Sequence, residues 1–113
     1  MRREFEKWVE IDLDKIAHNV REIKSSLKPK TVFMAVVKAD AYGHGLSEVS
    51  RVALRNGADW LCVSSAWEGE QLRKEGHRAP ILVLSPHSGE SARVAVRNGL
   101  IQGVDSVKQV EWL

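Results

Sequence analysis

Ala35-Val36-Val37-Lys38-Ala39-Asp40-Ala41-Tyr42-Gly43-His44-Gly45 is the stretch from which the rest of the chain is read. The apolar run that leads into it, residues 32–37, has the composition of a strand buried on both faces of a parallel sheet. The run stops at a lysine. Small residues follow, then Tyr42 and two glycines, and a helical pattern starts near Leu46. Lys38 therefore falls where the carboxyl end of a strand meets its loop, the edge at which α/β folds bind ligands. Taken singly, a lysine there commonly marks only the point where the chain reaches water, and paired glycines only a tight strand-to-helix turn.

Upstream, residues 14–27 place Ile16, Val20, Ile23 and Leu27 on one helical stripe. Asp12 or Asp14 is available to cap that helix, and Pro29 stops it. Before it, Trp8-Val9-Glu10-Ile11-Asp12-Leu13 alternates, with Val9, Ile11 and Leu13 on one face. That is the period of a half-buried strand, expected in a separate sheet or at an edge.

Downstream, residues 46–56 form a second helix that turns Val49, Val52 and Ala53 inward and ends at Gly57. Trp60-Leu61-Cys62-Val63 is the next strand. Ser65-Ala66-Trp67-Glu68 has the S-x-x-E form of a capping box and opens a helix that runs to about Glu75 and ends at Gly76. Pro80 opens a strand over 81–84, where its missing N–H costs little. A turn over 85–88, a helix over 90–98, Gly99 and a short strand over 100–104 complete a further round. Asp105 or Ser106 could cap a last helix, of which 107–113 is present.

Each strand is followed by one helix, and Arg55-Asn56-Gly57 recurs as Arg97-Asn98-Gly99. This is repeated βα architecture with right-handed crossovers and a parallel sheet. The pattern alone does not separate an open doubly wound sheet from a barrel. No G-x-G-x-x-G follows a strand, which counts against a dinucleotide fold.

Composition narrows the function classes. A formal charge of +2, with basic and acidic residues interleaved, gives no electrostatic footprint for nucleic acid. No apolar stretch approaches the roughly 20 residues that span a bilayer, and the N-terminus lacks the apolar core of a signal peptide. Cys62 is the only cysteine, which excludes an intrachain disulfide; it reads as a small core residue of a protein in a reducing cytoplasm. His18, His77 and His87 show no ligand spacing, so no metal is expected.

The eleven-residue string from Ala35 to Gly45 resembles the cofactor-lysine motif of the alanine racemase family. The likeness extends to Trp8 to Leu13, to Gly57-Ala58-Asp59-Trp60-Leu61, to Leu72-Arg73-Lys74-Glu75-Gly76 and to Ala79-Pro80-Ile81-Leu82-Val83-Leu84. Ser64-Ser65-Ala66-Trp67 is less usual for that family, and Gln102-Gly103-Val104-Asp105 is a loose match to its fourth barrel strand. The resemblance implies a pyridoxal-phosphate-dependent racemase that interconverts L- and D-alanine for peptidoglycan. Its fold is a (β/α)8 barrel followed by a mainly β C-terminal domain, working as a homodimer.

On that reading residues 1–113 are roughly the first half of a TIM-type barrel, preceded by the separate N-terminal strand and ending in the fourth barrel helix. A whole barrel takes about 250 residues. Lys38 would hold the cofactor covalently and then act as base on one face of the substrate. A tyrosine of the other subunit, in the C-terminal domain, would serve the opposite face. Tyr42 would hydrogen-bond the cofactor phosphate, and Leu84 would lie near its ring. His44 is assigned to packing or hydrogen bonding, and Asp40 is given no role. Residues 1–113 alone are expected to be inactive and, with strand edges unpaired, prone to association. The competing readings are a barrel protein that carries pyridoxal phosphate without turnover, and a racemase for serine or another amino acid.

Overall fold

Four short strands lie side by side in chain order, all parallel: β1 (Met34–Val36), β2 (Trp60–Val63), β3 (Ile81–Val83) and β4 (Ile101–Gln102). The structure is a computed structural model that describes residues 6–85 and 88–113. The register aligns Val36 with Cys62, Cys62 with Leu82, and Leu82 with Ile101. This order settles what the sequence left open. Right-handed crossovers between strands that always step the same way put every helix on one face. A doubly wound sheet reverses its order part-way and covers both. The molecule is accordingly a slab, 52 × 43 × 22 Å, thick enough for one sheet and one helical layer. It has the architecture of the first half of a (β/α)8 barrel.

The strands are connected by α2 (Lys38–Gly43) and α3 (Leu46–Arg55), then α4 (Ala66–Lys74), then α5 (Gly89–Arg97). α1 (Leu13–Ser26) precedes the sheet and packs on α3, and α6 (Val107–Glu111) follows it. The core lies between sheet and helices. Val37, Leu61, Val63, Ile81 and Val83 meet Leu46 and Leu72 there, with Ala35, Val49 and Leu54 packed against them. α4 comes so close to the chain after α5 that a Cβ on Gly69 would sit 2.6 Å from the end of the Leu100 side chain, which would have to shift to admit it.

The helices begin where their caps dictate. The Asp12 carboxylate accepts from the N–H groups of Asp14 and Lys15, so α1 starts at Leu13 and Asp12, not Asp14, is its cap. The box read at Ser65 and Glu68 is present in both directions. A second box joins Ser88 and Ser91, so α5 starts one residue earlier than the apolar pattern implied. Of the turn expected over 85–88, Pro86 and His87 lie outside the described residues.

Two expectations are corrected. No strand forms over residues 8–13: Trp8 and Val9 are 70% and 83% exposed, and Leu13 already belongs to α1. An alternating pattern becomes a strand only when a second strand takes up its backbone groups, and none is beside it among the described residues. The first barrel strand is likewise not buried on both faces. Ala35 and Val37 pack toward the helices, whereas Val36 on the other face is 42% exposed. That face is the concave one, which in a barrel is filled by side chains of the strands opposite.

Arg73, in the last turn of α4, locks the amino-terminal edge of the sheet. Its guanidinium donates to the carbonyls of His77 (2.9 Å) and Ala79 (2.8 Å), which lead into β3, and of Asn98 (3.0 Å) and Gly99 (3.3 Å), which lead into β4. Burial lowers its pKa from the usual arginine value, and Arg78 adds to this; the carbonyls offset that cost. Arg73→Met keeps the stem and removes all four bonds. In a full-length protein the thermal midpoint should fall by on the order of 2–5 °C. An unchanged midpoint in a calorimetric scan would remove this clamp from the account.

Candidate active site

The carboxyl edge of the sheet gathers the residues the sequence singled out. Lys38 lies one residue beyond β1, after Val37, and Leu84, 46% exposed, follows β3. β2 lies between them, so the two ends stand two strand spacings apart, about 10 Å. Among the described residues the Lys38 ammonium makes no hydrogen bond and no ion pair. Its charge is felt by Cys62, which register places beside Val36 on the concave face. Burial raises the pKa of that thiol and Lys38 partly opposes the rise, so Cys62 stays a protonated, inert filler beneath the lysine.

Between Lys38 and α3 the backbone does something that the sequence does not announce. Ala39, Asp40, Ala41 and Tyr42 all lie in the left-handed region, with φ of 51°, 55°, 52° and 55°. Four consecutive non-glycine residues there form one turn of left-handed helix. Each costs about 1–2 kcal/mol, roughly 4–8 in all. Such strain persists only where the surroundings enforce it.

The enforcing contacts can be named. Within the turn, Ala41 N–H donates to Val37 O (2.8 Å), His44 N–H to Ala41 O (3.1 Å) and Gly45 N–H to Asp40 O (2.9 Å). His44 Nδ1 lies 3.0 Å from Ala41 O and 3.1 Å from Tyr42 O, two acceptors, so Nδ1 carries the proton. Asp40 Oδ1 accepts from Leu46 N–H at 2.8 Å, which caps α3 and pins the far end of the turn. Glu68 pins the near end: its Oε2 accepts from Ala39 N–H at 2.8 Å. Hydrogen bonds to charged acceptors contribute about 1.5–3 kcal/mol each and neutral ones about 1, so the set is of the same size as the strain.

Further ties run along the edge from strand to strand. Glu68 Oε1 accepts from the N–H groups of Ser64 (2.9 Å) and Ser65 (2.8 Å) after β2. The Ser64 and Ser85 hydroxyls are 2.9 Å apart, which joins β2 to β3. The Gln102 side-chain amide donates to Ser85 O (3.0 Å) and Gly103 O (2.9 Å), which joins β3 to β4. Gly103 itself leaves no room for a side chain, since a Cβ would lie 2.9 Å from Val83 O. Ser64 and Gln102 thus hold the loops together across the carboxyl edge.

The expected residues fall at one edge, though not all in contact. Tyr42 closes the left-handed turn with its side chain 60% exposed and its hydroxyl unbonded among the described residues. His44 has the hydrogen-bonding role expected of it. Asp40, given no role from the sequence, caps α3. Glu68 was legible as half of a capping box, but its bond to Ala39 spans 29 residues and leaves no local signal. Among the described residues no group of three or more His, Cys, Asp or Glu side chains could hold a metal, and no helix is long and apolar enough to cross a membrane.

Fold and edge together define a (β/α) barrel segment that presents an amine, unpaired among the described residues, near the end of its first strand. Residues 11–113 match the family model described as alanine racemase, N-terminal domain. The chain is 48% identical over 103 residues to the alanine racemase of Nostoc sp., covering 90% of this chain and 27% of that protein. It is 46% identical over 110 residues to that of Desulfosudis oleivorans, covering 97% and 28%. Among solved structures, alanine racemase from Bacillus anthracis with bound L-Ala-P superimposes with a TM-score of 0.90 at 38% identity, over 98% of this chain and 29% of that one. That from E. faecalis gives 0.86 at 34% identity, over 89% and 27%. The chain belongs to the alanine racemase family and spans a little over a quarter of the length of these relatives.

The left-handed turn makes a prediction with an unusual sign. Alanine to glycine in an ordinary helix costs about 1 kcal/mol. At Ala39, exposed and held at positive φ, Ala39→Gly relieves strain, so stability in urea should stay level or rise by up to about 1 kcal/mol. A loss of the ordinary helical size would mean that the turn is right-handed in solution.

Proposed function

We propose that a full-length protein containing this chain is a pyridoxal-phosphate-dependent alanine racemase, with Lys38 as the cofactor lysine and as the base on one face of the substrate. The observation that carries this reading is an amine without ionic partner at the carboxyl end of β1, inside the family motif. An ammonium locked to a carboxylate could not serve; Lys38 has none among the described residues. The other residues at the edge fit the cofactor as well. The exposed Tyr42 hydroxyl is available to donate to a phosphate oxygen. Leu84 offers an apolar surface to a flat ring, and the protonated Cys62 thiol beneath Lys38 does not compete for an aldehyde.

When bound, pyridoxal phosphate supplies an electron sink for the negative charge left on Cα after deprotonation. Lys38 Nζ takes or returns the proton at Cα on its own face. Interconversion of enantiomers needs a second base on the opposite face, which we assign to a tyrosine of a partner subunit in a homodimer. The remaining strands would close the barrel, and a mainly β C-terminal domain would follow. The loops after the last two strands of a barrel commonly hold phosphate, and Tyr42 adds one bond from the first. Supply of D-alanine for peptidoglycan in the cytoplasm is the cellular role that goes with this activity.

Two measurements test the site. Borohydride treatment of the cofactor-loaded protein, followed by peptide mass analysis, should place the reduced cofactor on Lys38, and Lys38→Ala should lose nearly all racemisation of either alanine enantiomer. A label on another lysine would overturn the assignment. Tyr42→Phe should weaken cofactor retention by one hydrogen bond to a charged group, on the order of 1.5–3 kcal/mol, while turnover at saturating cofactor falls far less than in Lys38→Ala. Unchanged affinity with collapsed turnover would move Tyr42 from phosphate binding to proton transfer.

A further inference from the structure

From the geometry of the carboxyl edge we infer that Glu68 is a positioning residue for Lys38: through Ala39 N–H its carboxylate fixes the peptide that follows the lysine and holds the left-handed turn that sets Lys38 and Tyr42 relative to each other. The inference rests on the cofactor role proposed for Lys38 and adds to it a residue on a different helix, which touches neither cofactor nor substrate.

The two carboxylate oxygens divide the work. Oε1 takes three donors from the cap of α4, namely Ser64 N–H, Ser65 N–H and Ser65 Oγ–H. Oε2 takes one, Ala39 N–H at 2.8 Å. A capping box needs only the first set. The second bond crosses from α4 to the start of the turn after β1 and serves no purpose in ending a helix. Ala39 is the first of the four residues at positive φ, so its amide is where a return to right-handed backbone would begin. Such a return would change where Tyr42 stands relative to Lys38.

This division makes substitution selective. Glutamine has one acceptor oxygen. With that oxygen kept on the three cap donors, its NH2 faces Ala39 N–H, two donors with no acceptor between them. Glu68→Gln thus preserves the cap and breaks the tie. Glu68→Asp keeps the charge and can still cap, but is one methylene too short for Ala39. Ser88→Ala is the control for stability alone, because it breaks the capping box of α5 and has no bond to Glu68.

The test uses the full-length protein and two readouts besides turnover: apparent affinity for added pyridoxal phosphate, and the rate at which borohydride fixes it to Lys38. Both Glu68 variants should bind the cofactor roughly tenfold more weakly, about one charge-assisted hydrogen bond's worth, and be trapped more slowly. Ser88→Ala should lower the thermal midpoint and leave both readouts at wild-type values. Wild-type affinity and trapping in Glu68→Gln and Glu68→Asp would overturn the inference and leave the role of Lys38 standing. Loss in Glu68→Gln alone would show that charge rather than reach matters, which also overturns it. Equal loss in Ser88→Ala would reduce Glu68 to a stability effect. A wild-type protein that takes up no cofactor at Lys38 would overturn the proposed function, and this inference with it.

Discussion

One carboxylate holds two loops in a relation that neither would keep alone. Glu68 reaches the backbone after β1 with one oxygen and the backbone after β2 with the other. At the opposite end of the same helix Arg73 binds the four carbonyls that lead into β3 and β4. An acid in the first turn and a base in the last are what the helix dipole favours on any helix. Here the same preference is put to a second use. α4 becomes a rigid strut whose anionic end collects N–H groups at the carboxyl edge of the sheet and whose cationic end collects C=O groups at the amino edge. Strand order alone would leave such short strands, of two to four residues, weakly registered. The strut sets their relative height.

What the sequence disclosed follows from how far each signal reaches. Caps and stripes are local, so α1, α3, α4 and β2 could be placed within a residue or two from Asp12, Gly57, Ser65 and the run Trp60 to Val63. The helix-end glycines sit at positive φ, as their positions implied. Strand order is not local, hence the undecided choice between barrel and open sheet; Val36 is exposed here because the strands that would face it across a barrel are not among these four. The pattern at Trp8 to Leu13 misled because alternation reports a preference for pairing without supplying the pair. Lys38, whose cofactor role is the one proposed above, was singled out by its motif. Glu68, Ser85 and Gln102 were not, because each acts across loops joined only by the fold.

The two faces of the sheet differ in kind. Toward the helices stand Val37, Leu61, Val63, Ile81 and Val83, branched and closed to water, with the partly buried Ala35 beside them. Toward the concave side stand Met34, Val36 and Ile101, apolar yet partly exposed, with Lys38 and Leu84 above them at the edge. Apolar side chains on an open face gain by being covered, and in a barrel the strands opposite do this. On the proposed reading the same cover draws water away from the amine at the rim, so the closing of the barrel and the fitness of Lys38 for proton transfer are one process.

On the proposed reading, the left-handed turn explains how a single short segment could supply two unlike functions. A helix that starts after a strand is a natural anion site, because its first N–H groups are free. In this chain one of them is taken: Leu46 N–H is bound by the Asp40 carboxylate, whose negative charge also opposes a second anion there. A phosphate is therefore discouraged from the end of α3 and directed to whatever donor lies in front of it. The turn that carries Asp40 into its cap is the turn that brings Tyr42 out, side chain exposed, on the following residue but one. Right-handed backbone over the same four residues would separate the cap from the tyrosine. On the proposed reading, strain in Ala39 to Tyr42 is the condition under which the lysine at the strand end and the tyrosine at the helix entrance could serve one ligand.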